Sequence, residues 1–373
     1  MARLYIWERP AWPRLHYQAS DLLQALSAAR QKQGELRASM RQLGFDQQAA
    51  AYLETLTTDA IETSEIEGQH VDYAAVRSSV AERLGMPEAA VAPKDARAAG
   101  IAEMTVDATR DFAKPLTAER LFAWHAGLFP NVRSEGKEIA VGAWRRGAIG
   151  VYSPNRKNGS TITHYIAPPA DRVTVEMHHF LKWFAQPHDD GLLRSGLAHL
   201  WFVTIHPLED GNGRIARAIA DMALAQDDQS AQRFFSMSRQ IRIEQNAYYD
   251  ILEATQTGDT DVTDWLKWFL RCYANAIDTA QSTMANVLQA SRFWATHAGV
   301  TVNERQRKVI NMVLNGYDGK ITSKSWSRFT GASKETAIRD IGELITHKIL
   351  RQHGAGRATH YELLGAMKGR EAN

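Results

Sequence analysis

Apolar residues recur at spacings of three and four along most of the chain, which predicts helices. In a few short stretches they alternate with polar ones, which predicts strands. Residues 20–40 read as an amphipathic helix with Ser20 or Asp21 as N-cap, and Trp7, Trp12 and Tyr17 ahead of it are expected to pack the N-terminus onto the domain. A second helix begins near Gln47 and a third covers about 58–67, with Gly68 in the left-handed position that ends helices. Beyond Leu84-Gly85-Met86-Pro87 a polar stretch leads to helices over 95–112 and 117–129; His125, on an apolar helix, reads as a packed core histidine. Alternation around Ile149, Val151 and Tyr152, turn chemistry at 155–160 and a second alternating run at 161–166 predict a β-hairpin. It closes at Ala167-Pro168-Pro169 and is followed by a helix over 171–185.

Residues 192–205 (LLRSGLAHLWFVTI) are apolar on nearly every side, as in a helix buried within a domain. Residues 214–226 are strong helix formers with no interior Gly or Pro. Further on, 239–261 reads as a helix ending in a Gly-Asp turn, 262–271 as an amphipathic helix, and a long helix follows to about Trp294. The last stretch predicts helices over 303–315 and 323–330, a Gly331-Ala332-Ser333 turn, a third helix capped by Ser333 and reaching His347, then strands at 349–351 and 360–363 around Gly354 and Gly356. The fold class is mainly α. Three regions are expected: an N-terminal helical segment over 1–92, a core over 93–290 and a C-terminal domain over 300–373.

Composition narrows the picture at three points. Cys272 is the single cysteine, which excludes an intrachain disulfide and a cysteine-rich zinc site. The longest apolar runs fall short of the ~18 residues that span a bilayer, and the N-terminus lacks the apolar segment of a secretory signal, so a cytoplasmic protein with no membrane partner is expected. From Thr301 to Asn373 thirteen basic residues stand against seven acidic ones, a surplus of six in a chain whose net charge is +2. The first 300 residues therefore sum to −4, a break that suits a separate C-terminal domain.

The chemistry concentrates between the two central helices, in His206 to Arg217, HPLEDGNGRIAR. Helix N-termini carry unpaired N–H groups and partial positive charge, so Gly211, Asn212 and Gly213 read as a phosphate cradle. Arg214 and Arg217, three apart, share a face and can reach one anion. Asp210 would repel a bare phosphate, and Mg²⁺ between carboxylate and phosphates removes that conflict. His206 can take a proton from a hydroxyl at neutral pH. A capped loop with a solvated histidine accounts for any one of these residues, but not for all of them in this order.

HPLEDGNGRIAR resembles the signature of the Fic family, His-Pro-Phe-x-(Asp/Glu)-Gly-Asn-Gly-Arg-x-x-Arg, with Leu208 where phenylalanine is usual. The resemblance implies a helical Fic core with a β-hairpin flap and transfer of AMP from ATP to a Ser, Thr or Tyr hydroxyl of a target protein, with self-modification. It implies His206 as base, Asp210 on Mg²⁺, Gly211, Asn212, Gly213, Arg214 and Arg217 on the phosphates, and Val151, Tyr152 and Ser153 near the nucleotide, with the target along the flap. A Tyr-Tyr pair with a polar residue two turns on, here Tyr248, Tyr249 and Gln256, is implied to contact the nucleotide; by pattern alone one tyrosine is core and the other surface. Thr63 to Gly68 is similar to the family's inhibitory motif, (Ser/Thr)-x-x-x-Glu-(Gly/Asn). Glu67, placed at a helix C-terminus where a negative charge costs roughly 0.3–1 kcal/mol, is then implied to pair with Arg217 and keep the γ-phosphate out.

The C-terminal elements resemble a winged helix (HTH). Lys334 and Arg339 suit phosphate contacts, but Glu335, Asp340 and Glu343 share the helix, so protein docking or homodimerisation is favoured over DNA. Two alternatives stand beside AMP transfer: another Fic reaction (UMP or phosphocholine transfer, or AMP removal), and a DNA-binding regulator whose core senses nucleotide.

Overall fold

The computed structural model describes residues 4–41, 43–86, 95–134, 136–154, 160–188, 190–297, 299–314, 317 and 319–364. The expected hairpin turn at 155–159 and most of the polar stretch after Gly85 lie outside them. Helix on helix is how a chain with this periodicity buries its apolar stripes, and the architecture follows. The first part comprises α1 (Ala19–Arg41), α2 (Phe45–Ile66), α3 (Tyr73–Leu84), α4 (Ala96–Arg110) and α5 (Ala118–Leu128). Then come two hairpins, β1 (Arg133–Ser134) with β2 (Lys137–Glu138) and β3 (Gly150–Pro154) with β4 (Thr161–Ile166), followed by α6 (Val173–Phe184), α7 (Gly191–Ile205) and α8 (Asn212–Asp228). The remainder is α9 (Met237–Ile243), α10 (Gln245–Gln256), α11 (Thr263–Thr296), α12 (Glu304–Leu314), α13 (Ser323–Thr330), α14 (Lys334–Thr346), β5 (Leu350–His353) and β6 (His360–Leu363). The fold is mainly helical, with small hairpins. Among the described residues no helix is long and apolar enough to cross a membrane.

The chain divides into two compact units, Met1–Thr279 and Ala280–Asn373, so the division falls within α11. In the first unit α7 and α8 are central: twelve of fifteen and thirteen of seventeen residues are buried, leaving α8 only a few outward positions. Phe202, Ile205 and Leu208 have no exposed surface, and burying each such side chain contributes about 1.5–3 kcal/mol. The loop between these helices is therefore anchored at its middle by Leu208. In the second unit α12, α13 and α14 close around Trp326, with Leu350 and Leu363 of the β5–β6 hairpin packed beneath. Gly331 adopts φ +69° between α13 and α14, and Ser333 caps α14 through Thr336 N.

Several elements differ from expectation. The second and third helices are one, α2: the Thr57 hydroxyl bonds Leu53 O at 2.8 Å, so a threonine that competes with the backbone elsewhere is satisfied inside the helix. Helix α1 begins at Ala19, which puts Ser20 and Asp21 in its first turn rather than at its cap. Helix α3 was not expected, although Asp72 caps it by accepting from Ala75 N and Gly85 ends it at φ +75°. The segment over 239–261 breaks at Glu244 into α9 and α10, where φ −99° and ψ 25° take the backbone out of the helical region; the Glu244 side chain is held by Gln240 and Asn275. The two helices expected between 262 and 294 run as one, α11.

Candidate active site

Helix α7 ends on His206, whose φ of +51° is rare for a residue with a Cβ. The surroundings hold that conformation. His206 O accepts from Arg145 Nε at 2.7 Å, and Pro207 O accepts from Arg145 N at 2.8 Å. The same buried guanidinium reaches Gly147 O, Pro168 O and Ile205 O, so one cation ties the end of α7 to both ends of the hairpin. Tyr165 OH adds a 2.6 Å bond to Thr204 O. His206 Nδ1 lies 3.1 Å from Val203 O. A carbonyl can only accept, so Nδ1 carries the proton and Nε2 keeps its lone pair. Burial pushes the imidazole below its ordinary value, against the Val203 bond, and leaves it neutral at pH 7.

The loop is pinned at both levels. Asn212 Oδ1 accepts from Leu208 N at 2.9 Å and Asn212 Nδ2 donates to Leu208 O at 2.8 Å. Glu209 accepts from Ala140 N at 2.9 Å, and Asp210 is held by Ser134 Oγ and Gly211 N. Gly211, at φ +80°, turns the chain into α8, so Asn212, Gly213 and Arg214 open the helix with their N–H groups outward. Arg214 is buried against the Phe129 ring, 4.9 Å from its centroid, with Nη1 on Gln69 at 2.7 Å and Nη2 3.5 Å from Asp210. Burial lowers its pKa, and the charges of Asp210 and Glu67 offset part of that.

Arg217 is the meeting point with α2. Its Nε donates to Thr63 Oγ1 at 2.6 Å, and Nη2 donates to Thr63 O at 2.9 Å and to Glu67 Oε1 at 2.7 Å. Burial is the largest influence and works against the charge, but Glu67, Tyr248 and Tyr249 together outweigh it and the pKa lies above the ordinary value. Glu67 also lies directly on the cradle. A Cβ at Gly213 would sit 2.2 Å from Glu67 Oε1, so glycine here lets the carboxylate lie against the helix start. Gly68 at φ +69° turns the chain just beyond. Arg217 Nη1 and Arg214 Nε are buried and have no hydrogen-bond partner among the described residues, so the pocket holds spare donors for an anion.

The remaining expected residues surround this centre. Val151 and Tyr152 are exposed on the hairpin, and Ser153 is half-buried beside them. Tyr248 is buried, with its hydroxyl 3.0 Å from His199 Nε2 and its ring against Trp265 and Trp268. Tyr249 is partly exposed and donates to Ile66 O, the end of α2, at 3.3 Å. Gln256 Nε2 lies 3.3 Å from Thr204 Oγ1. His125 is fully buried, and burial pushes it down to about 4, with Asp210 resisting. Four residues that position the site were not anticipated: Arg145, Ser134, Gln69 and His199. Nothing in the sequence around them singled any of the four out.

Residues 115–224 match the Fic/DOC family and residues 5–86 match a domain of unknown function, DUF4172. The chain carries a Fic/DOC domain. It runs from just before α5 into α8 and contains the whole HPLEDGNGRIAR loop. A uridine 5'-monophosphate transferase of Xanthomonas campestris pv. campestris (strain 8004) is 30% identical over 118 residues, which is 30% of this chain and 21% of that protein. The chain thus spans about a fifth of that relative's length. The crystal structure of a Fic family protein from Desulfovibrio desulfuricans G20 superposes with a TM-score of 0.54 at 17% identity, covering 96% of this chain and 100% of that one, which places the Fic/DOC domain in a shared fold.

Proposed function

We propose that this Fic/DOC protein transfers a nucleoside monophosphate, AMP from ATP in the first instance, to a hydroxyl of a target protein, and that Glu67 holds it inactive. One observation carries the reading: the Glu67 carboxylate accepts from Arg217 and lies against Gly213 in the first turn of α8. An acid seated on a helix N-terminus beside an arginine occupies the place of a phosphate. When Glu67 leaves, Arg217 and Arg214 take the β- and γ-phosphates, and the first amides of α8 face the negative charge that develops. His206 Nε2 then accepts the proton of the attacking hydroxyl while pyrophosphate departs. The enzyme forms no covalent bond of its own; its task is positioning.

A magnesium ion fits the donors present. Asp210 is one carboxylate, about a third exposed, beside the cradle, and Mg²⁺ is commonly held by one or two carboxylates together with substrate phosphates. Such an ion would screen the phosphate charge that Asp210 otherwise repels. The target is read as docking along the hairpin, where Val151, Tyr152, Ile162 and Ile166 are exposed and a two-stranded sheet leaves an edge for an added strand.

UMP transfer is the second reading, favoured by the name of the Xanthomonas relative. Incubating Glu67→Gly with Mg²⁺ and either ATP or UTP, then weighing the products by mass spectrometry, separates the two. The expected result is a nucleotidyl adduct that His206→Ala in the same background lowers by about 10²–10⁴-fold. An adduct that survives the alanine undiminished would rule the mechanism out. The C-terminal unit is read as a winged helix for docking protein rather than DNA, since Ile338 stands 52% exposed between Lys334 and Arg339 on α14. Retention of the full chain on duplex DNA at physiological salt would reverse that preference.

A further inference from the structure

A second hydrogen-bonded relay lies on the hairpin, made of residues that the chemistry above does not use. Ser153 Oγ is 2.6 Å from His164 Nε2, and His164 Nδ1 is 2.6 Å from Glu253 Oε2. The order of atoms is that of a nucleophile, its base and the carboxylate that orients the base. With Glu253 ionised, Nδ1 is the protonated nitrogen, so Nε2 is the acceptor facing the serine hydroxyl. The backbone is bent to make this possible. In the β3–β4 ladder Val151 pairs with Tyr165 but Tyr152 pairs with Thr163, so His164 is an extra residue in a bulge. Bulges re-aim a side chain, and this one turns His164 onto Ser153, which stands opposite Ile162.

The elements that carry the relay also reach the end of α7. Tyr165, the neighbour of His164, bonds Thr204 O, and Gln256, one turn beyond Glu253, bonds Thr204 Oγ1. Thr204 is two residues before His206. Strand β4 and helix α10 therefore each reach the last turn of α7, through Tyr165 and Gln256, which stand one and three residues from His164 and Glu253. His164 and Glu253 keep about 30% and 31% of their side-chain surface exposed, which leaves the relay within reach of a ligand.

We propose that Ser153 is an activated hydroxyl that accepts the nucleotidyl group in cis, with His164 as its own base and Glu253 as the positioning residue that orients His164. The inference rests on the nucleotide transfer proposed above. In the step, Ser153 Oγ bonds to the α-phosphorus and the bond to the bridging oxygen breaks. Pyrophosphate leaves, the serine proton passes to His164 Nε2, and Glu253 holds the imidazolium. The product is a nucleotidylated flap, with its charge on the strand along which the target is read as docking.

The test uses full-length Glu67→Gly, in which the relay is intact, with Mg²⁺ and ATP, and separately UTP, in the absence of any target. Trypsin releases a ten-residue peptide over 147–156 that holds both Tyr152 and Ser153, and fragmentation assigns the adduct. The expected result is an adduct on Ser153 that His164→Asn lowers by about 10²-fold or more. Glu253→Gln should lower it as well, while Glu253→Asp restores part of it, which a mere brace between strand and helix would not show. An adduct on Tyr152 or on another peptide of the chain, with Ser153 bare, overturns the inference and leaves nucleotide transfer standing. The absence of any adduct on the chain overturns the inference alone; nucleotide transfer falls only if the same variant, with Mg²⁺ and ATP or UTP, also labels no protein of an added cell lysate.

Discussion

Two buried arginines in the first unit each meet an acid from the same stripe of α2, and their fates differ. Asp59, Thr63 and Glu67 are four apart and lie on one face of the helix. At one end Arg233 meets Asp59 at 3.6 Å and also Asp221, and the three side chains are 1%, 3% and 4% exposed. Asp59 is further held by Ser236 Oγ and Ser238 N. At the other end Arg217 is 2% exposed but its partner Glu67 is 31% exposed. The first acid is sealed in, and the second can leave by rotating toward solvent. The same ion-pair chemistry thus fastens α2 at one end and, at the other, sets against Arg217 an acid that, under the proposed function, a phosphate replaces.

The largest effect is expected at the sealed end. Arg233→Leu leaves two buried carboxylates without their cation, and breaking such a cluster costs about 3–5 kcal/mol. Urea denaturation should show that loss equally with and without nucleotide. Glu67→Gly should cost less, about 1–3 kcal/mol, because Thr63 still accepts from Arg217. It should also gain what the wild type lacks: nucleotide at a hundred times its Kd stabilises by roughly 2.7 kcal/mol, read as a rise in melting temperature. Equal nucleotide-induced shifts in wild type and Glu67→Gly would show that the acid does not compete with phosphate.

Legibility in the sequence follows the same division. The active loop was readable because its chemistry is contiguous: His206, Asp210, the Gly211–Gly213 turn, Arg214 and Arg217 lie within twelve residues. The Fic/DOC domain followed from it, and the mainly helical fold from the spacing of apolar residues along the chain. The pairing of Glu67 with Arg217 spans 150 residues and was reached through the resemblance of Thr63 to Gly68 to an inhibitory motif; a helix-terminal glutamate by itself reads as solvated. Nothing local marks Asp59 as the acid that meets Arg233, or Arg145 as the clamp on His206. Both depend on which helices pack together, and an arginine that will be buried has the same local pattern as an exposed one. Helix α3 is a different case: Asp72 and Gly85 are ordinary start and stop signs, but its apolar positions, Val76 and Val80, are few.

Acid titration should sharpen the contrast next. Burial holds His125 at about 4 and His199, behind Arg217, at about 3, against 6.5 unfolded. The unfolded chain binds more protons in that window, so stability is complete above pH 6.5 and falls as pH drops toward those values, by about 1.4 kcal/mol per histidine per pH unit. Asp221 has the opposite sign. Burial first, and Asp59 beside it, raise it to about 7 from 3.8, so its contribution is complete below pH 3.8 and is lost as pH rises through 7. The two slopes partly cancel in the wild type. Asp221→Asn removes the opposing one, so denaturation midpoints between pH 4.5 and 6.5 should depend more steeply on pH in the variant, by about 1.4 kcal/mol per unit. An unchanged slope would mean that Asp221 stays ionised across that range.

The smallest effect separates the two ends most directly. Thr63→Val keeps the shape of the side chain and removes the acceptor that lies 2.6 Å from Arg217 Nε; Ser236→Ala removes the hydroxyl on Asp59. Each deletes one hydrogen bond to a buried charge, and each should cost about 1–3 kcal/mol. By stability alone the two substitutions are indistinguishable. The difference should be in the response to nucleotide, measured in the Glu67→Gly background. With Thr63 gone, Arg217 has lost both the acid and the hydroxyl that fixed its orientation, so more of the binding free energy goes into ordering it and the nucleotide-induced rise in melting temperature should shrink. Ser236→Ala, which leaves Arg217 as it was, should leave that rise intact. If both variants lost it equally, the sealed cluster and the exchangeable pair would be a single coupled site, and α2 would respond to nucleotide along its whole stripe rather than at its end.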